Sequence, residues 1–292
     1  MPEPDWSGSA GAGSPKPQIN AAPRESEAYT LVTWNVEWLG DLENGPNDEA
    51  RQLSLAIDAL AFAQADLIAL QELSSQSAID ALVDALPGYE VAVARYEQTQ
   101  KVALIYRRDR LELLERRALT GLDDAGRPPL EASVRTRTGR ELTVIALHAK
   151  AGDDPRSYAT RASFAAGLAD ELARRHAASD VVLMGDFNDR FGGSTLEGSP
   201  SPYEPLRRSF VAPTEALEQG SERSTAWGAT VDHIVVSRSL ASSVVTESVE
   251  VLRDELLARH PDFFDAASDH APVTLELRLG PGRDQAVLRR GM

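Results

Sequence analysis

Short apolar runs rich in Val, Ile and Leu recur along the chain from residue 31 to residue 277. They read LVTWNV at 31–36, DLIALQEL at 66–73, YEVAVA at 89–94, KVALIYR at 101–107 and LELLERRAL at 111–119. They resume as LTVIALHA at 142–149, DVVLMGDF at 180–187, DHIVVS at 232–237 and APVTLEL at 271–277. Their length and β-branched content predict strands. Between several of them the spacing turns helical. Leu53, Ala56, Ile57 and Leu60 fall at i, i+3, i+4 and i+7. Ile79, Leu82, Val83 and Leu86 repeat the pattern after a Ser75–Ser77 start and before a Pro87-Gly88 stop, the signals that open and close a helix. Further helices are predicted over 158–178 and 252–259, the latter ended by Pro261. Many strands and few helices predict a four-layer α/β sandwich, two packed and mainly antiparallel sheets flanked by helices.

The polar positions on these strands are less ordinary. Asn35 closes the first run, Glu72 the second, His148 the LTVIALHA run, and Asp186 with Asn188 the DVVLMGDF run. Asp232 opens the DHIVVS run, and Asp269 with His270 open the last. In an antiparallel arrangement the end of one strand and the start of its neighbour share a sheet edge, so one edge could collect them all. Asn35 and Glu37, like Asp186 and Asn188, stand two apart and project to one side if the strand continues that far. Such a cluster repels itself unless something positive sits within it, and a hard divalent cation meets that need. Taken singly, each residue has a plainer reading: an Asp or Asn at a strand end is usually a turn former. His176, His233 and His260 are assigned as ordinary paired histidines, and Trp34 and Trp38 as core.

Composition narrows the chemistry. Cysteine is absent from the 292 residues, so a metal must sit on oxygen or imidazole donors, which favours Mg²⁺, Mn²⁺ or Ca²⁺. A net charge of -15 argues against non-specific coating of polyanions and requires any nucleic-acid contacts to be local. No run approaches the roughly 18 apolar residues of a membrane helix. Residues 1–28, rich in Pro, Gly, Ser and Ala, read as a flexible arm; 29–279 read as one domain, and 280–292 as a loose tail. No apolar stretch near Met1 resembles a secretory leader, so the expectation is an intracellular protein, or an exported one whose leader was removed, acting as a monomer.

The segments TWNVEWL, ALQEL, ALHAK, LMGDFND, VDHIVVS and ASDHAPV together resemble the endonuclease/exonuclease/phosphatase superfamily, which includes deoxyribonuclease I, abasic-site endonucleases, neutral sphingomyelinases and inositol polyphosphate 5-phosphatases. The second half is most similar to deoxyribonuclease I, which implies that enzyme's fold. The resemblance places metal binding at Glu72 with Asn35 and Asp269 close by, phosphate binding at His148, Asn188 and His270, and the carboxylate partner of the last histidine at Asp232. Glu37 aligns with an acidic residue of the abasic endonucleases and is a further metal-ligand candidate. The implied activity is Mg²⁺-dependent phosphodiester hydrolysis, with nucleic acid, DNA foremost, as substrate. The Asp232/His270 pair is the expected base and Asp186 its alternative or a water-orienting group. A phosphatase or sphingomyelinase-like action on a small or lipid phosphate is the second reading. Two positions depart from the DNA-cleaving pattern: Ser74 stands where a basic residue is usual, and Gln100 where a glutamate supports the first histidine.

Overall fold

The computed structural model describes residues 26–94, 100–122, 127–220 and 223–282. The segment read as an arm, apart from its last residues, and the end of the segment read as a tail lie outside them. Each strand expected from an apolar run forms: β1 (Glu27–Leu39), β2 (Leu67–Leu73), β3 (Tyr89–Val93), β4 (Lys101–Arg107) and β5 (Leu111–Ala118). So do β7 (Glu141–His148), β8 (Val181–Asp186), β10 (Asp232–Ser237) and β12 (Val273–Leu279). The structure adds β6 (Leu130–Thr136), the two-residue β9 (Phe210–Val211) and β11 (Val244–Val251). β6 escapes a search for apolar runs because Glu131, Ser133 and Arg135 interrupt it, and Glu131 is buried only because Arg117 and His176 hold its carboxylate. β11 is an edge strand with a register break between Val245 and Glu250, so most of its side chains need not be apolar.

The strands form two six-stranded sheets, ordered β11-β12-β1-β2-β4-β3 and β5-β6-β7-β8-β10-β9. Only β1–β2 in the first sheet and β7–β8 in the second are parallel. Their facing sides bury one core, including Leu31, Leu104, Val144 and Met184. Helices α1 (Glu49–Ala63), α2 (Gln76–Asp84), α4 (Arg253–Arg259) and α5 (Phe263–Ala266) flank the first sheet, where Leu55, Leu60 and Phe263 pack with Trp34. Helix α3 (Pro155–Arg175) covers the second through Phe164, Leu168 and Leu172. Helix α2 starts at the expected serine, and Asp48, Ser75 and Asp154 each accept hydrogen bonds from first-turn amides. No helix among the described residues is long and apolar enough to cross a membrane.

This topology positions the polar strand ends. A parallel pair ends both strands on one rim, and an antiparallel neighbour begins there. Thus β1 and β2 end where β12 begins, and β7 and β8 end where β10 begins. The expectation of a single sheet edge is corrected: each sheet supplies half of the rim, and the cluster lies across the gap between them.

Candidate active site

Gly185 lets the second half of the rim form. A Cβ there would lie 2.1 Å from the Leu147 carbonyl oxygen, so only glycine allows β8 to approach β7 this closely. The register then aligns His148 with Asp186 and Asp186 with Asp232. From the facing sheet, Asn35 Nδ2 bridges the halves, donating to Glu72 Oε1 and Asp186 Oδ2, each at 3.1 Å. Asn188 Nδ2 donates to the same Asp186 oxygen at 3.0 Å. His270 Nδ1 lies 2.7 Å from Asp232 Oδ2, which also accepts from Ser224 Oγ at 2.6 Å. His270 Nε2 is thereby aimed toward Asp186 and Asp269, at 3.9 and 3.8 Å. His148 Nε2 stands 3.5 Å from both Glu72 and Asp186. Glu37 Oε2 accepts a hydrogen bond from the Asp269 backbone N–H at 2.7 Å. All the residues expected at the site therefore meet.

Alternation along the strands did not bring them there. Glu37, Trp38, Glu72 and Asn188 all have positive φ, at 44°, 56°, 64° and 51°, and the β1–β2 register breaks between Asn35 and Leu39. The strands leave the extended conformation at the site, so the period-two expectation for Asn35/Glu37 and Asp186/Asn188 does not describe the geometry. Left-handed backbone at non-glycine residues costs on the order of 1 kcal/mol each and persists where surrounding bonds enforce it. Here they do: Asn35 Oδ1 accepts from the Glu37 amide, Glu72 from that of Trp38, and Asp186 from that of Asn188.

The electrostatics record an excess of negative charge. Burial, then the Asp269 charge, pushes Glu37 up to about 7; burial, then Asp232, does the same for Asp186. Glu72 and Asp269 are also raised, by burial first. Burial alone would lower the His270 imidazole, but Asp232, Asp186 and Asp269 outweigh it and hold it up at about 10. His148 is pushed well below its usual range by burial, then by Arg127 and His270. Asp232 Oδ1 is buried without a hydrogen-bond partner.

A cation is what this donor set lacks, and the residues fit one. Asp186, Asp232 and His270 bring ligand atoms within 4.8 Å of one another. Of these, Asp232 Oδ2 and His270 Nδ1 are already bound to each other, whereas Glu37, Glu72 and Asp269 present hard oxygens under mutual repulsion, the setting a divalent ion relieves.

The sequence profile of the endonuclease/exonuclease/phosphatase family matches residues 32–270. The chain belongs to this family. Its members are hydrolases acting on phosphate esters. No curated protein matches the chain significantly. Solved structures share its fold: TDP2 from D. rerio complexed with a single-strand DNA product superposes with a TM-score of 0.64 at 17% identity, covering 86% of this chain and 99% of that one. A mannosyl-6-phosphatase from Bacteroides thetaiotaomicron gives 0.61 at 18%, covering 86% and 100%. ANGEL2, a 2',3'-cyclic phosphatase in complex with adenosine-2',3'-vanadate, gives 0.62 at 14%, covering 88% and 97%.

Within this family member, several site neighbours carried no sequence signal. Arg127, 9% exposed, lies against His148 with Nη1 3.0 Å from Nδ1 and 3.3 Å from Nε2, and donates to Gln100 Oε1 at 2.6 Å. A guanidinium thus stands beside the histidine that a glutamate would otherwise support, and Gln100 holds the guanidinium. Trp227, 59% exposed, sets its ring edge-on to His270 at 5.1 Å. It shares a cleft of about 510 Å³ with Asn188, Arg190 and Arg223. Arg161 and Asp189 form a fully buried pair at 2.7 Å directly behind Asn188. Of the other histidines, His176 pairs with Glu131 and His260 lies 3.7 Å from Asp58, whereas His233 meets Thr214 through Nδ1 and leaves Nε2 buried without a hydrogen-bond partner. Trp34 is buried and donates to the His270 carbonyl at 2.8 Å, while Trp38 is half-buried.

Proposed function

We propose that the chain is a divalent-cation-dependent phosphodiester hydrolase cleaving nucleic acid, DNA in the first instance and RNA as a related substrate. The observation that carries the reading is His270, paired to Asp232 at 2.7 Å with its free nitrogen facing Asp186 and Asp269. Glu72, Glu37 and Asp269 would hold the cation, Mg²⁺ before Mn²⁺ or Ca²⁺, with Asn35 fixing Glu72. Bound there, it would polarise a phosphate oxygen and stabilise the leaving group.

The chain's own groups do the rest. Asp232 fixes the imidazole so that a proton is exchanged only at Nε2, where attacking water would sit. Asp186, held by Asn35 and Asn188, offers that water a second acceptor. Asn188 and His148 bind the non-bridging oxygens, and Arg127 brings positive charge to the side where negative charge develops. Trp227, Arg190 and Arg223 suit a substrate extending beyond one phosphate, as a base-bearing chain does. The net charge of -15 is the feature that favours the second reading, a phosphatase or sphingomyelinase-like enzyme for a small or lipid phosphate.

The test is one panel: purified protein with supercoiled DNA, single-stranded DNA, RNA and sphingomyelin, each with Mg²⁺, Mn²⁺, Ca²⁺ or EDTA. Cleavage of a polynucleotide that EDTA abolishes is expected. Turnover of sphingomyelin or a sugar phosphate with no polynucleotide cut would overturn the nuclease reading.

A further inference from the structure

The two members of the base pair come from different sheets: Asp232 opens β10, and His270 stands just ahead of β12. A third segment joins them. Thr225 forms a β-bridge with His270, flanked by hydrogen bonds from the Ala226 amide to the Asp269 carbonyl at 2.8 Å and from the Ala271 amide to the Ser224 carbonyl at 2.7 Å. Ser224 is thus fixed to the backbone that carries His270, while its side chain reaches Asp232 in the other sheet.

The direction of that contact follows from the groups around it. Ser224 is fully buried. Its Oγ meets the amides of Val231 at 3.2 Å and Asp232 at 3.4 Å, and Asp232 Oδ2 at 2.6 Å. Amides only donate, so the hydroxyl proton is left for the carboxylate. A bond of this length is of the short, charge-assisted kind. His270 Nδ1 lies 2.7 Å from the same oxygen, whereas Oδ1 is buried without a partner. A carboxylate turns readily about its last bond, so with Oδ1 unheld the donors on Oδ2 decide which way it faces. Ser224 is the donor there that does not depend on the imidazole.

A serine in a loop ordinarily bonds the backbone two or three residues away. Ser224 does not, because the amides it accepts from stand seven and eight residues further on. The turn itself is closed by Thr225, whose Oγ1 donates to the Ala229 carbonyl at 2.9 Å and accepts from the Ala229 amide at 2.8 Å. The Ser224 hydroxyl is therefore placed for Asp232 and not for the loop.

Resting on the reading of Asp232 and His270 as the base pair, we propose that Ser224 is a positioning residue of the hydrolysis: its hydroxyl holds Asp232 Oδ2 against His270 Nδ1, so that the imidazole keeps Nε2 toward the attacking water. Ser224 touches no substrate and acts only through Asp232. Its loss slows the chemical step and leaves substrate binding as it was.

The experiment measures kcat and KM on bis(p-nitrophenyl) phosphate at saturating Mg²⁺ for wild type, Ser224→Ala, Asp232→Ala and the double variant, with urea unfolding to establish that each is folded in the assay. Ser224→Ala should lower kcat about ten- to hundredfold, the effect of losing a hydrogen bond to a charged group, with KM unchanged. On the Asp232→Ala background the same substitution should change nothing, because the carboxylate through which it acts is gone. Ser224→Thr, which keeps the hydroxyl, should restore most of the rate. Should Ser224→Ala not fold, Ser224→Gly, also without the hydroxyl, takes its place. A wild-type kcat in Ser224→Ala, a loss confined to KM, an equal fall on the Asp232→Ala background, or a Ser224→Thr variant as slow as Ser224→Ala would each overturn the assignment alone. Wild-type activity in Asp232→Ala overturns the base pair and the assignment with it. A wild type that leaves the diester intact overturns the diesterase reading on which both rest.

Discussion

Two buried ionic clusters centre on carboxylates three residues apart in the chain, Asp186 and Asp189, and differ in kind. At Asp189, one carboxylate oxygen accepts from Arg161 Nε, Arg161 Nη2 and Ser194 Oγ, and the other from the Arg190 and Thr195 amides. Arg161 spends its remaining donors on the Lys150 and Gly152 carbonyls and on Thr195. Every charge there has its complement, and the cluster ties together the two loops behind Asn188. At Asp186 the neighbours are two carboxamides, two imidazoles and further carboxylates, Asp232 keeps an orphaned oxygen, and acids are driven to hold protons near neutrality. A closed cluster stabilises the fold, whereas an open one costs stability and is retained for what it binds.

The largest effect that would test this contrast is catalytic. Asp232→Asn and His270→Ala should each lower the rate by about 10³–10⁴-fold, and the double variant should be little worse than His270→Ala, because the pair acts as a unit. Additive losses would give the activation of water to Asp186. Glu72→Gln should cost about 10³-fold and abolish the stabilisation by Mg²⁺ while the fold survives; more than about a tenth of wild-type rate at saturating Mg²⁺ would remove Glu72 from the cation site.

Stability comes next. Arg161→Met strands a buried carboxylate and should cost about 3–5 kcal/mol in urea unfolding. Asp186→Asn removes surplus charge and should leave the metal-free protein as stable or more so. Equal losses from both substitutions would erase the distinction between the clusters. The smallest effect is a thermal shift. Glu37 and Asp186 are raised to about 7 in the fold, so their contribution is present below the ordinary carboxylate range and is lost as pH rises through about 7. His270, raised to about 10, contributes fully below the ordinary histidine range and loses that contribution as pH rises from there through about 10. A cation competes with the carboxyl protons, so Mg²⁺ at ten times its Kd should raise Tm by about 3 °C near pH 8 and by much less near pH 5.5. A larger shift at the lower pH would contradict the assignment of carboxylate ligands.

Much of this was legible in the sequence, for physical reasons. Apolar runs reveal strands buried on both faces, so β2, β7, β8 and β10 stood out, while β6 and β11, with paired or solvent-facing polar residues, did not. Ser75 announces α2 because capping is local chemistry, whereas the cap at Asp154 does not show in the apolar pattern, and α3 begins at Pro155, ahead of the start at 158 that this pattern suggests. The polar residues at strand ends were readable because burial makes them anomalous. What stayed hidden is non-local: that two sheets share the site, that Glu37, Glu72 and Asn188 leave the extended backbone, and that Arg127 arrives beside His148 from a segment without periodicity.

The pairing of β1 with β12 sets a timetable for synthesis. β1 is the first strand described and β12 the last, and each lies inside the sheet, paired on both sides. On the ribosome β1 must wait for its partner with one edge open, a state prone to wrong pairing and dependent on protection. Trp34 likewise waits for the carbonyl of His270, 236 residues downstream. On the proposed reading, a chain assembled in this order stays inert until His270 has been made, and one released before that point would carry its carboxylates without the histidine that puts them to use.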